Sequence, residues 1–326
     1  MTDQSPSPAA RRPELDQAFQ YLIDLAAGVD LSRTNGPEEA WLAQLRTTVP
    51  AYGRIGPETD LDGVVFTPVS ADGVRAQWVT AEGADPARRL VYFHGGAWAA
   101  GSPFDSHKAF SATLAKLSGI SILMVDYRLA PEHRFPAGLE DCVKAYAWAL
   151  TNGPTSERTG LAGRDPARRI SIAGDSAGGN LAAATCVRLA TSGQRMPDRL
   201  ALIAATLDQV SMWDRVGVDD LICTEDSLTF SVHYYLPPGV SAGDPEVSPA
   251  FAPEKVLAKF PPTLLQVSAI EALVYDSKRF ADRLEKAGVR VNLSLWPGLP
   301  HVWHAFLNLF PEAAEAIGEI TDFINR

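Results

Sequence analysis

Gly174-Asp175-Ser176-Ala177-Gly178 is the stretch of this chain whose residue types could do covalent chemistry. The apolar run Arg169 to Ala173 before it reads as a strand, and the Ala-rich run Gly179 to Thr185 after it reads as a helix. A serine in a G-x-S-x-G turn between strand and helix sits on a sharp bend that lifts its hydroxyl clear of the backbone. The flanking glycines are required because side chains there would collide with the neighbouring strand and helix. The helix N-terminus then aims backbone N–H groups at whatever the serine attacks. About 0.1 such pentapeptides are expected by chance in a chain of this length, and an isolated Ser176 could equally be a helix N-cap. The nucleophile reading therefore needs partners elsewhere.

Three other places offer them. His94-Gly95-Gly96-Ala97-Trp98 follows the apolar run Leu90 to Phe93. Consecutive glycines at the end of a parallel strand let N–H groups approach a substrate oxygen, so Gly95, Gly96 and the N–H of Ala177 are the expected oxyanion hole. A base is expected at His301, in the turn Trp296-Pro297-Gly298-Leu299-Pro300-His301, with His304 as the alternative. An acid that orients the imidazole is expected at Glu271, three residues past the run Thr263 to Ser268, with Asp276 as the alternative. Serine, acid, histidine is the chain order in which the partners of such an elbow occur.

The elements that must position these groups alternate. Strands are expected at Leu90 to Phe93, Ile120 to Val125, Arg169 to Ala173, Leu200 to Leu207, Thr263 to Ser268 and Val289 to Trp296. Helical patterns fall near Ser106 to Lys116, Gly138 to Thr151, Ala177 to Thr191, Tyr275 to Ala287 and His304 to Ile324. This alternation predicts a mostly parallel sheet with helices on both faces. A hairpin at Gly63 to Val69 and Val74 to Thr80, turning at Ala71-Asp72-Gly73, adds one antiparallel strand at an edge. Two amphipathic helices, near Glu14 to Ala27 and Pro37 to Thr48, precede it, after a polar tail of about twelve residues. About fifty residues from Asp208 to Lys259 show no strand pattern yet hold Trp213, Phe230, Tyr234 and Tyr235. So long and apolar an insertion predicts helical lid material rather than a bare loop.

Composition narrows the function. The 326 residues, 46% apolar and 21% charged, suffice for one large core or two modest domains. A net charge of −10 argues against nucleic acid or an anionic membrane as partner. No apolar run reaches the length of a membrane span, and the polar N-terminus lacks a secretory h-region. Three scattered cysteines, Cys142, Cys186 and Cys223, fit reduced thiols in a cytoplasmic protein. No Cys/His cluster has metal-ligand spacing, and the H-x-x-H at 301 to 304 lacks a third ligand, so no metal is expected.

Taken together, four blocks resemble the bacterial type of the hormone-sensitive lipase family of α/β-hydrolases: His94 to Trp98, Asp126-Tyr127-Arg128-Leu129-Ala130-Pro131-Glu132, Gly174 to Gly179, and Trp296-Pro297-Gly298 with His301. The resemblance implies an α/β-hydrolase fold, a roughly eight-stranded, mostly parallel sheet under a helical cap. It divides the chain into a tail and cap helices at 1–55, a core in two parts at 56–207 and 251–326, and a cap insertion at 208–250. It implies hydrolysis of short-acyl carboxylic esters by Ser176, Glu271 and His301, without a cofactor. The partner is then a small-molecule ester, and a homodimer is compatible with the chain. Trp98 beside the oxyanion turn, with Trp213 and Tyr235 in the insertion, is the expected substrate wall, and Arg128 and Glu132 a buried polar network. Three departures stand out: Ser268 where the family's acid motif begins with Gly, Ala97 for a frequent third Gly, and Leu207-Asp208-Gln209 for a Pro-containing turn. Ala97 is tolerable if only the first two glycines supply donors. Two other readings stay open, a ligand receptor without turnover and a hydrolase of amides, carbamates or lactones.

Overall fold

The computed structural model describes residues 13–54, 58–154, 166–211 and 222–326. Its centre is an eight-stranded sheet: β1 Val64–Ala71, β2 Val74–Ala81, β3 Asp85–Phe93, β4 Ile120–Val125, β5 Arg169–Asp175, β6 Leu200–Ile203, β7 Thr263–Ser268 and β8 Val291–Trp296. The strands lie in the order β1-β2-β4-β3-β5-β6-β7-β8. Only β2 runs against its neighbours β1 and β4, while β4 through β8 are parallel. The antiparallel strand is therefore second from the edge rather than at it. The turn Asp72-Gly73 has both residues at positive φ, 54° and 85°, the conformation a two-residue hairpin loop demands.

Side-chain alternation along the strands sorts the core into two layers. Val91, Phe93, Leu123, Val125, Ile170 and Ile172 face one way. That face is covered by α4 (Ala137–Ala149), α5 (Ala177–Ser192) and α8 (Val274–Lys286). Leu90, Tyr92, Ile122, Met124 and Ala173 face the other way, under α3 (Lys108–Ser118) and α9 (Pro311–Asn325). Two boundaries differ from expectation. Strand β6 stops at Ile203 because the chain turns at Ala204, whose φ is 44°. Helix α9 begins at Pro311 rather than His304, since Trp303–Ala305 forms a separate 3-10 turn.

Parallel strands open their C-terminal ends at one edge. His94, Ser176, Glu271 and His301 come after the ends of β3, β5, β7 and β8, so all four emerge at that edge. Over it lie α1 (Pro13–Ala27), α2 (Pro37–Thr48) and α6 (Glu225–Tyr235). Trp41 of α2 stacks on Tyr234 of α6, with ring centroids 6.0 Å apart and an 8° interplanar angle. Among the described residues of the 208–259 stretch there is no strand, only α6, a 3-10 turn and the short α7 (Glu254–Leu257).

Candidate active site

Ser176 stands between β5 and α5 with φ 53° and ψ −120°, a left-handed backbone rare for a residue with a side chain. The turn is locked by Ser176 N–H donating to Ile203 O at 2.8 Å. Glycine is required at Gly178 because a Cβ there would press into the carbonyls of Phe93 and His94. At Gly174 a Cβ would meet the Gly178 carbonyl. These glycines let the elbow seat against the end of β3, which is what brings Ser176 to the oxyanion turn.

The Ser176 hydroxyl lies 2.9 Å from His301 Nε2. His301 Nδ1–H donates to Glu271 Oε2 at 2.7 Å, and the other carboxylate oxygen accepts the Ser268 N–H at 2.9 Å. Both side chains are buried, Glu271 to 1% exposure. Ser268, where the family pattern has Gly, uses its hydroxyl as well: Oγ donates to Leu299 O at 2.7 Å. One serine thus ties the acid's loop to the base's loop, and the departure from the motif reinforces the site. Burial works against a charged His301. The Cys223 sulfur, hydrogen-bonded to the imidazole, and the Glu271 carboxylate outweigh that penalty, holding its pKa well above the usual histidine value.

The alternatives are committed elsewhere. Asp276 Oδ2 accepts the N–H groups of Leu207 and Asp208 at 2.7 and 3.0 Å, so it braces the turn after β6. His304 is fully buried and bonds Gln266 Oε1 at 2.9 Å, away from Ser176.

The oxyanion turn corrects the sequence reading at one residue. Gly95 cannot serve as a donor, because its N–H already points at Asp175 Oδ1, 3.0 Å away. The same oxygen accepts Tyr92 Oη–H at 2.8 Å and His107 Nε2–H at 3.0 Å. Burial opposes ionisation of Asp175, but His107 and these hydrogen bonds hold its carboxyl below the usual range. Gly95 is thus an anchor. The chain then turns through Gly96, Ala97 and Trp98, all at positive φ (121°, 53° and 57°), closed by Ala99 N–H and Ala100 N–H on Gly96 O. Among the described residues the N–H groups of Gly96, Ala97 and Ala177 have no hydrogen-bond partner. Ala97 is a candidate donor that the sequence reading set aside in favour of the first two glycines. Its place in a family glycine position was the available signal, since a third left-handed residue is needed there.

Arg128 and Glu132 do not form one buried network. Arg128 grips Asp141 through Nε and Nη2, both at 2.8 Å, with its own side chain 42% exposed. Glu132 pairs with Arg46 of α2 instead.

A cavity of about 410 Å³ opens above Ser176 and His301. Phe19, Leu22, Trp41 and Leu45 of α1 and α2 form one wall, and Ile222, Cys223 and Leu228 another. Among the described residues no lysine, arginine or glutamate lines it. Trp98 is on the wall as expected. Tyr235 stands behind it, stacked on the Trp98 indole with centroids 4.3 Å apart, and does not reach the cavity. Trp213 lies outside the described residues. Cys223, His107 and Tyr92 carried no sequence signal, because their roles arise from contacts between distant segments.

This arrangement resembles known proteins over most of its length. A family model described as the α/β hydrolase fold matches residues 90–305. An esterase of Acinetobacter venetianus is 32% identical over 86% of this chain and 87% of its own. The carboxylesterase NlhH of Mycobacterium tuberculosis is 31% identical over 95% of each. The crystal structure of an esterase from the bacterial hormone-sensitive lipase family superposes with a TM-score of 0.79 at 30% identity, covering 97% of this chain and 99% of that one. A mutant of the esterase E40 superposes with a TM-score of 0.80 at the same identity and coverage.

Proposed function

The chain belongs to the α/β-hydrolase fold family, among esterases of the bacterial hormone-sensitive lipase type, and on that premise we propose that it cleaves short-acyl carboxylic esters through an acyl-enzyme on Ser176. The observation that carries the assignment is the continuous relay from Ser176 Oγ through both nitrogens of His301 to Glu271. In the acylation step Ser176 Oγ bonds to the ester carbonyl carbon while its proton passes to His301 Nε2. Glu271 holds the imidazole in the tautomer that can accept it and stabilises the imidazolium. The carbonyl oxygen, now negative, sits against the N–H groups of Gly96, Ala97 and Ala177. Collapse of the tetrahedral species breaks the bond to the alkoxide, which leaves with the His301 proton. Water then repeats the sequence on the acyl-enzyme, releasing the acid and Ser176.

The helices α1, α2 and α6 act as the cap over a mainly apolar acyl site, and a wall free of lysine, arginine and glutamate among the described residues favours neutral esters. Buried thiols at Cys142, Cys186 and Cys223, none of them in a disulfide, support work in the reducing cytoplasm. Among the described residues no helix is long and apolar enough to cross a membrane.

The test pairs a covalent probe with turnover. A fluorophosphonate should label wild type at Ser176, and p-nitrophenyl esters of increasing acyl length should turn over only in protein that still has that hydroxyl. Folded wild type that neither labels nor turns over would be a ligand receptor. Turnover surviving in Ser176→Ala would place the nucleophile elsewhere.

A further inference from the structure

Arg46, in the last turn of α2, reaches out of the cap and commits its guanidinium to the oxyanion side of the site. Nε donates to Ala99 O at 3.0 Å, and Nη2 to Ala130 O at 3.1 Å. Nη1 and Nη2 also take the two carboxylate oxygens of Glu132, at 2.8 and 2.6 Å. The ion pair by itself is ordinary: the side chains are 38% and 54% exposed, a setting in which such pairs contribute little. The two carbonyls are different. Ala99 closes the turn that begins at Gly96, through its own N–H on Gly96 O. Ala130 N–H donates to Trp98 O at 2.9 Å, so the segment at Ala130 is zipped to the same turn. The fork of Arg46 clips both sides of that zipper from above.

The clip acts where the backbone most needs holding. Ala97 and Trp98 are consecutive non-glycine residues at positive φ, a conformation that persists only when its surroundings over-determine it. From below, Asp175 fixes Gly95. From above, Arg46 bonds Ala99 O, and the proposed oxyanion donors Gly96 and Ala97 lie between the two anchors.

We propose that Arg46 is a positioning residue for the oxyanion turn, making the alignment of the Gly96 and Ala97 N–H groups conditional on the N-terminal cap helix being docked. The proposal rests on the ester-hydrolase reading above. It makes docking of α2 serve two purposes, walling the cavity and completing the transition-state site. An acyl chain that packs against α2 thereby favours the formed oxyanion hole.

The experiment compares wild type, Arg46→Met and Glu132→Gln, each with its active sites counted by fluorophosphonate titration, well below the melting temperature. Arg46→Met keeps much of the aliphatic stem and removes the fork. It should lower kcat on p-nitrophenyl acetate about tenfold or more, with KM changed less than threefold. Affinity for an aryl trifluoromethyl ketone, which adds Ser176 to form a hemiketal oxyanion, should fall by a similar factor. Glu132→Gln leaves the two main-chain bonds in place and should hold kcat within threefold of wild type. A purely structural Arg46 would lower the melting temperature and leave kcat per titrated site unchanged, which would overturn the proposal. So would a Glu132→Gln variant as slow as Arg46→Met. Should Arg46→Met fail to fold, Arg46→Lys, charged but without the fork, is read by the same criteria. Wild type without Ser176-dependent turnover would bring down the ester-hydrolase reading and this proposal together, whereas active wild type with an equally active Arg46 variant removes this proposal alone.

Discussion

Replacing Glu271 by glutamine changes one oxygen into an NH2 group, and the hydrogen bonds from His301 and Ser268 to that side chain set the size of the effect. The carboxylate now accepts from His301 Nδ1–H at 2.7 Å and from Ser268 N–H at 2.9 Å. An amide has a single acceptor oxygen. With that oxygen on Ser268, the NH2 donates to Nδ1 and forces the proton onto Nε2, where it faces the Ser176 hydroxyl and blocks transfer. With the oxygen on His301, the NH2 confronts a buried N–H, leaving a donor unsatisfied at a cost of about 1–3 kcal/mol. The productive orientation is therefore outnumbered about 5- to 150-fold. It also lacks the negative charge that stabilises the imidazolium, and the two losses together should lower kcat about 10⁴-fold, or about 5 kcal/mol of barrier. The assay is p-nitrophenyl butyrate hydrolysis per folded protein, with Asp276→Asn alongside. Asp276 braces backbone N–H groups rather than the imidazole, so its variant should lose stability and keep kcat within about tenfold. Glu271→Gln retaining a tenth of wild-type kcat, or Asp276→Asn proving the slower of the two, would refute the assignment of the acid.

Other consequences are open to measurement. The proposed base works only when neutral, and its pKa in the free protein is held above the ordinary 6.5, so the acid limb of the wild-type pH–kcat/KM profile should lie above pH 6.5. Cys223→Ala removes one of the two influences that raise it and should move that limb to lower pH; an unmoved limb would show that the thiol does not act on His301. Gly95→Ala puts a Cβ against the Asp175 carboxylate and should cost about 100-fold in kcat, while Ala97→Gly relieves a φ of 53° and should stay within about threefold by the same assay. His304 and His94 are buried with pKa values lowered to about 3 and about 4. The unfolded chain protonates them near 6.5, so their stabilising contribution is complete above that pH and is lost as pH falls toward their folded values. At pH 5 each loses about 2 kcal/mol, so urea titrations should show His304→Gln losing about 2 kcal/mol less than wild type between pH 7 and 5, and equal losses would contradict it.

Much of the fold and part of the site were legible because the demands behind them are local. The inner strands from Leu90 to Ser268 showed themselves as mainly apolar segments, as strands buried on both faces do, while the edge strand β8, partly exposed, showed itself by alternation. The elbow was legible because Gly174 and Gly178 meet backbone from adjacent elements, a constraint that only glycine meets. His301 stood out because Pro and Gly mark the loop that carries it. Glu271 could be ranked ahead of Asp276 along the chain by its place just past the end of β7, and contact with His301 is what separates the two in space. The Gly95 assignment failed for a related reason: two adjacent peptide N–H groups point in different directions, and which one faces the serine depends on where Asp175 lies.

The sequence alone determined the chemistry available, a serine, an imidazole and a carboxylate in workable order beside a glycine turn, because residue type and steric need are written residue by residue. Only the tertiary structure decided which N–H groups are unclaimed among the described residues, that Cys223 hydrogen-bonds His301, that Ser268 joins two loops and that Arg46 of α2 donates to Ala99 O and Ala130 O. Those are meetings between segments tens of residues apart. Their geometry is settled by how helices and strands pack, and a directional hydrogen bond depends on tenths of an ångström that no spacing along the chain encodes.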